Sequence, residues 1–211
     1  MPGGANDSDS TPGRGAPPAR ARTPVFLIGM MGAGKTTVGR LLAQALHYEF
    51  VDCDAELERR AGVRIATMFE LEGEAAFRER EALLLGELTN RSGVVLATGG
   101  GVVLRPENRA LLHGRGLVIF LDASAAEIAR RTRHDVGRPL LQVDDRLSRI
   151  ESLLRDRRPM YRATAHLRFR SPARNPRRLA TLILAHPALA PLLPDAEAPS
   201  QAAAPPQGRG T

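Results

Sequence analysis

Near the start of the chain, Gly29-Met30-Met31-Gly32-Ala33-Gly34-Lys35-Thr36 satisfies the pattern G-x-x-x-x-G-K-[ST]. Each residue type in it has a chemical use. Glycines let successive backbone N–H groups turn inward around a phosphate, and a helix starting at the loop adds its positive N-terminal end. Lys35 would bring a compact ammonium to the outer phosphates, and Thr36 would offer a hard hydroxyl oxygen to Mg2+. Lys35 is the only lysine in the chain; the other strongly basic residues are all arginine. A flexible point charge is thus kept where phosphate chemistry calls for one. With no second lysine, the N-K-x-D element by which GTPases hold guanine is missing, which leaves ATP or a relaxed base preference.

Three further clusters could serve an acceptor. Asp52-Cys53-Asp54 places two carboxylates two residues apart, able to face a metal and a substrate hydroxyl, although a pair of solvated turn aspartates fits equally well. Cys53 reads as a small buried residue rather than a reactive thiol. Arg78 and Glu81 are three apart on one helical face, with Glu74 four before Arg78, so a carboxylate can hold the guanidinium. Taken alone, that spacing is ordinary surface charge pairing. Finally, Gly99-Gly100-Gly101 follows an apolar run, and three glycines there are costly unless backbone must approach something closely, such as a substrate beside the transferred phosphate.

Positioning these groups requires alternating strands and helices. Short apolar runs at Val25–Gly29, Glu49–Cys53, Gly93–Thr98, Gly116–Asp122 and His166–Arg170 read as strands. Helical patterns lie at 35–46, Glu74–Arg91, Pro106–His113, Ser124–Arg131, Asp144–Ala165 and Pro176–Ala185. The alternation predicts a parallel sheet covered on both faces, a three-layer α/β/α sandwich with ligands at the carboxyl ends of its strands. Residues 1–23 and the Ala/Pro-rich stretch 187–211 offer little to bury and are expected to be disordered, which leaves one folded domain over 24–186.

Composition narrows the function classes. A hydrophobic fraction of 43% suits a globular core, and 4% aromatics without tryptophan make that core aliphatic. The net charge of +7 invites nucleic acid as a partner, but no aromatic residues interleave with the arginines for base stacking, so no nucleic-acid binding is expected. The single cysteine excludes an internal disulfide, and the histidines lack metal-ligand spacing. No apolar run is long enough to span a membrane and no secretory h-region precedes the domain, so a cytoplasmic location without membrane association is expected.

Together the chain resembles the shikimate kinase family, P-loop NTPases of nucleoside-monophosphate-kinase-like fold. The resemblance runs from about Pro24 to His186. It rests on GxxGAGKTT at Gly29–Thr37, DxD at Asp52–Asp54, FRxxE at Phe77–Glu81, ATGGG at Ala97–Gly101, RPLL at Arg138–Leu141, R-x-P-x-Y at Arg157–Tyr161 and RNP at Arg174–Pro176, in order and in register. It implies a monomeric enzyme with a five-stranded parallel sheet that phosphorylates the 3-hydroxyl of shikimate using ATP and Mg2+. In the implied site, Gly32, Ala33, Gly34, Lys35, Thr36 and Thr37 hold the phosphates, while Arg131 and Arg174 hold the adenine. Arg138 sits on a mobile lid over about 133–144, a stretch that on its own reads as an arginine-rich surface loop. Asp54, Arg78, Gly100 and Arg157 would bind shikimate, with Lys35, Asp54 and Arg138 catalytic. Thr36 would bind the metal directly and Asp52 through water. A gluconate-kinase-like enzyme and a non-catalytic ATP-binding module are the alternatives.

Overall fold

The computed structural model describes residues 22–133, 145–171 and 175–194. Its strands are β1 (Val25–Ile28), β2 (Glu49–Asp52), β3 (Val94–Ala97), β4 (Leu117–Asp122) and β5 (Leu167–Arg170). They form one sheet in the order β2-β3-β1-β4-β5 with every pairing parallel. In β1, Val25 and Leu27 enter the core on one face and Phe26 and Ile28 that on the other, and β4 alternates in the same way. Burial on both faces is why these strands read as continuous apolar runs. At the edge, β5 buries only Leu167 and Phe169 partly and turns Arg168 and Arg170 to solvent, the charged pattern that discourages edge pairing.

The helices are α1 (Lys35–Leu46), α2 (Cys53–Ala61), α3 (Ile65–Leu88), α4 (Pro106–Arg115), α5 (Ala125–Arg131), α6 (Arg146–Thr164) and α7 (Pro176–Leu184). Helix α5 opens on a capping box: Ser124 accepts from the Glu127 N–H and Glu127 reaches back to the Ser124 N–H. Helix α7 opens on Asn175, whose side chain accepts from the Arg178 N–H.

Three expectations are corrected. The sequence reading places no helix between Cys53 and Gly73, yet α2 and the first turns of α3 lie there. Asp52 caps α2, Gly62 ends it in a left-handed turn, and Gly73 (φ 79°) breaks α3 just before the expected start at Glu74. The stretch from Pro187 does not begin without structure. Pro187–Leu192 forms a 3-10 helix, and Leu189 is 0% exposed in the same core cluster as α7. Arg22, expected in a disordered extension, docks too: its guanidinium donates to the Leu46 carbonyl and lies over the Tyr48 ring. Leu189→Ala is therefore expected to cost about 2–4 kcal/mol of stability in urea denaturation, from lost burial and a residual cavity.

Candidate active site

All five strands end on the same side, and the loops leaving them build the site. Between β1 and α1 the chain turns with positive φ at Gly32 (73°) and Gly34 (96°), which wraps the backbone into a cradle at the N-terminus of α1. Lys35 is 9% exposed and bends back over this loop, its Nζ donating to the Gly29 carbonyl at 2.8 Å and the Met30 carbonyl at 3.1 Å. The charge is thus placed before any phosphate arrives.

From β2, Asp52 uses both carboxylate oxygens. Oδ1 accepts the Asp54 and Ala55 N–H groups that open α2, and Oδ2 accepts the Thr36 hydroxyl at 2.7 Å. A threonine whose proton is taken by a carboxylate turns its lone pairs outward, toward where a hard cation would sit. Two oxygens together with phosphate and water oxygens suit Mg2+, which keeps much of its hydration shell. Among the described residues no cluster of three or more His, Cys, Asp or Glu offers an all-protein metal cage. Cys53 is fully buried between the aspartates, and burial followed by the nearby Asp54 charge pushes its thiol well above the usual value. It is an inert side chain.

The β3 side carries the arginines. Arg78 donates to Glu81 Oε2 at 2.8 Å and to Glu74 Oε1 at 3.0 Å, so two carboxylates fix its plane. Glu81 is 3% exposed, and its Oε1 has no hydrogen-bond partner among the described residues. Burial raises its pKa, and the Arg78 guanidinium opposes that rise. The three glycines owe more to this pair than to a substrate. A Cβ on Gly99 would lie 2.3 Å from Glu81 Oε1, and one on Gly101 would lie 2.3 Å from the Arg78 guanidinium. Gly100 meets the cradle itself, its Cβ position lying 3.2 Å from the Met31 nitrogen. From α6, Tyr161 donates to the Gly100 carbonyl at 2.5 Å, and Arg157, 5% exposed, approaches the same oxygen at 3.4 Å. Desolvation pushes the Tyr161 phenol far above its ordinary pKa, so it stays a donor.

A cavity of about 350 Å³ gathers these groups. Gly32, Gly34, Lys35, Thr36, Thr37, Asp52, Asp54, Gly100 and Arg131 all line it, so most of the expected site residues meet in one place. Ala33 lies behind it, buried, and Arg78 and Arg157 flank the glycine turn. A smaller cavity of about 150 Å³ shares Gly34, Thr37 and Arg131 with the first and is closed by Ser171, Pro176 and Leu179. Arg138 with its lid, and Arg174, lie outside the described residues. Met31 and Thr98 also line the larger cavity, and Tyr161 and Ser171 brace the site from outside it; none is a site member in the sequence reading. Tyr161 is visible only as the last letter of a motif, and Ser171 as a small polar residue just past a strand.

The parallel sheet with this cradle defines a P-loop protein of nucleoside-monophosphate-kinase-like fold. The chain belongs to the shikimate kinase family, whose model matches residues 31–187. It is 58% identical to a shikimate kinase of Cupriavidus pinatubonensis over 68% of this chain and 75% of that one. To the shikimate kinase of Aromatoleum aromaticum it is 57% identical over 68% and 82%. Among solved structures, that of shikimate kinase from Acinetobacter baumannii in complex with shikimate superposes with a TM-score of 0.76 at 46% identity, covering 77% of this chain and 90% of that one. Shikimate kinase from Aquifex aeolicus gives 0.67 at 34% identity, covering 76% and 94%. No helix among the described residues is long and apolar enough to cross a membrane.

Proposed function

We propose that this chain transfers the γ-phosphate of ATP to the 3-hydroxyl of shikimate, giving shikimate 3-phosphate and ADP on the route to chorismate and the aromatic amino acids. The observation that carries the reading is the pair of arginines, Arg78 and Arg157, fixed on either side of a glycine turn that touches the phosphate cradle. Two planar forks beside a phosphoryl donor suit an acceptor with a carboxylate. A gluconate kinase would share the cradle without needing both. The structure with shikimate bound is that of a relative 46% identical to this chain.

In this reading Lys35 neutralises the β- and γ-phosphates while the N–H groups of the loop hold them in line. Asp54, which lines the same cavity, orients the ring hydroxyls and receives the proton of the attacking one. Thr36 would hold Mg2+ directly and Asp52 through a water, and the ion would supply charge neutralisation at the phosphates. Arg131 and Arg174 flank the adenine, and Arg138 reaches the phosphates from a lid that excludes water. The enzyme acts as a cytoplasmic monomer.

Glu81 trades stability for this arrangement. Its raised folded pKa means that its contribution to folding is fully present below the unfolded carboxyl value and lost as pH rises through the folded one. At neutral pH the buried charge therefore costs stability. Glu81→Gln removes that cost but also takes one of two carboxylates from Arg78, which keeps Glu74, so the two effects offset and urea denaturation at pH 7 should shift by less than about 1 kcal/mol. The KM for shikimate should still rise roughly 5–10-fold, because a neutral amide holds the guanidinium less firmly.

The reading is tested by coupled ADP release with Mg-ATP and shikimate, gluconate, nucleoside monophosphates or no acceptor. Release dependent on shikimate alone is expected. Release with gluconate or a nucleotide instead would keep the fold and overturn the acceptor site. A protein that binds ATP but turns over with none of them would be the non-catalytic module.

A further inference from the structure

One small side chain beyond β5 reaches back to the phosphate cradle. Ser171 is 2% exposed, and its N–H donates to the Asp122 carbonyl at 3.0 Å, extending the β4–β5 pairing by one residue. Its hydroxyl donates to the Ala33 carbonyl at 2.6 Å and accepts from Arg131 Nη1 at 3.3 Å. Its own carbonyl accepts from Arg131 Nη2 at 3.1 Å. Arg131 Nη1 also donates to the Gly32 carbonyl at 2.9 Å. The guanidinium is therefore held by oxygens of two segments, the cradle and the end of β5. Both residues line the smaller cavity opposite Pro176 and Leu179.

This geometry constrains both ends of a nucleotide. A trans peptide is planar, so fixing the Ala33 carbonyl on the Ser171 side directs the Gly34 N–H to the other side. The same hydroxyl fixes one edge of the Arg131 guanidinium, whose planar face offers a cationic surface to a base in a cavity that no aromatic residue lines among the described residues. A buried serine that donates to one element and accepts from the other sets their relative position. An apolar residue of its size would orphan a carbonyl and loosen an arginine.

We propose that Ser171 is a positioning residue of the nucleotide site, linking the P-loop peptide at Ala33 to the guanidinium of Arg131 so that the phosphate and base subsites are preset in one geometry. The inference rests on the reading of ATP as phosphoryl donor. Its test is calorimetric binding of ATP and of shikimate to the full chain, with melting temperature as a control. Ser171→Ala should weaken ATP binding about tenfold. Shikimate binding should stay within about twofold, and the melting temperature within ~3 °C. Ser171→Thr, which restores the hydroxyl, should recover most of the loss. In an Arg131→Ala background the further effect of Ser171→Ala should fall below about threefold, because the two act as a unit.

Unchanged ATP affinity in Ser171→Ala would overturn the proposal. So would losses that are additive with Arg131→Ala, or equal losses for ATP and shikimate accompanied by a lower melting temperature. Calorimetry needs no turnover, so these outcomes are separate from the acceptor question. A wild-type chain that fails to bind ATP would instead overturn the donor reading beneath it.

Discussion

Lys35→Ala is expected to lower kcat by about 1,000-fold, roughly 4 kcal/mol of transition-state stabilisation, in steady-state assays with Mg-ATP and shikimate. Phosphoryl transfer depends mostly on positioning and charge, and no other lysine exists to substitute. The ammonium is already in place, bonded to the Gly29 and Met30 carbonyls at the mouth of the cradle. Removing it deletes the charge and releases two carbonyls that it holds. Lys35→Arg should not rescue turnover, because a bulky planar fork cannot occupy a site shaped for a compact point charge. A melting temperature near wild type would separate this loss from unfolding. Near-normal turnover in Lys35→Ala would remove the P-loop from the chemistry.

The second large effect belongs to Arg78 and Arg157, the arginines proposed to grip the acceptor. Arg78→Ala and Arg157→Ala should each raise the KM for shikimate about 30–100-fold, the roughly 2–3 kcal/mol of a charge-assisted bond lost from a desolvated site. The KM for ATP should stay within about threefold, since the cradle is built by β1, α1 and β2. Gly100 keeps its Tyr161 hydrogen bond in the Arg157 variant, which protects the glycine turn from collapse. In the Arg78 variant Glu81 would be left buried beside Asp54, so that variant should also lose stability. Equal increases in both KM values would mean that these arginines do not grip the acceptor.

The core of this site was legible in the sequence because its physics is local. A strand, a glycine loop and a helix that starts with Lys-Thr are contiguous, and so the cradle's residues and backbone role could be read from spacing. The pairing of Arg78 with Glu81 follows from helical geometry in the same way. What spacing could not say is that this pair is buried against Gly99 and Gly101, since that contact joins α3 to the end of β3. Glycines that look reserved for a substrate are in part reserved for side chains of the protein. Helix α2 was hidden for a related reason. Its buried face is only Cys53 and Leu57, too sparse to show a helical period, and its signals are the Asp52 cap and the Gly62 turn. The 3-10 turn after α7 is anchored by one leucine, Leu189, in a stretch whose composition otherwise suggests disorder. Ser171 is the extreme case. Its partners are Ala33 and Arg131, and only the folded sheet brings them to it.

The central claim is tested most directly by the identity of the product. Purified protein incubated with Mg-ATP and shikimate should yield one new phosphate ester, and phosphorus–proton coupling in its nuclear magnetic resonance spectrum should place the phosphate on the 3-hydroxyl. Phosphate on another ring oxygen, or only ADP and inorganic phosphate, would contradict the account of Asp54, Arg78 and Arg157 as the groups that present the 3-hydroxyl to the cradle.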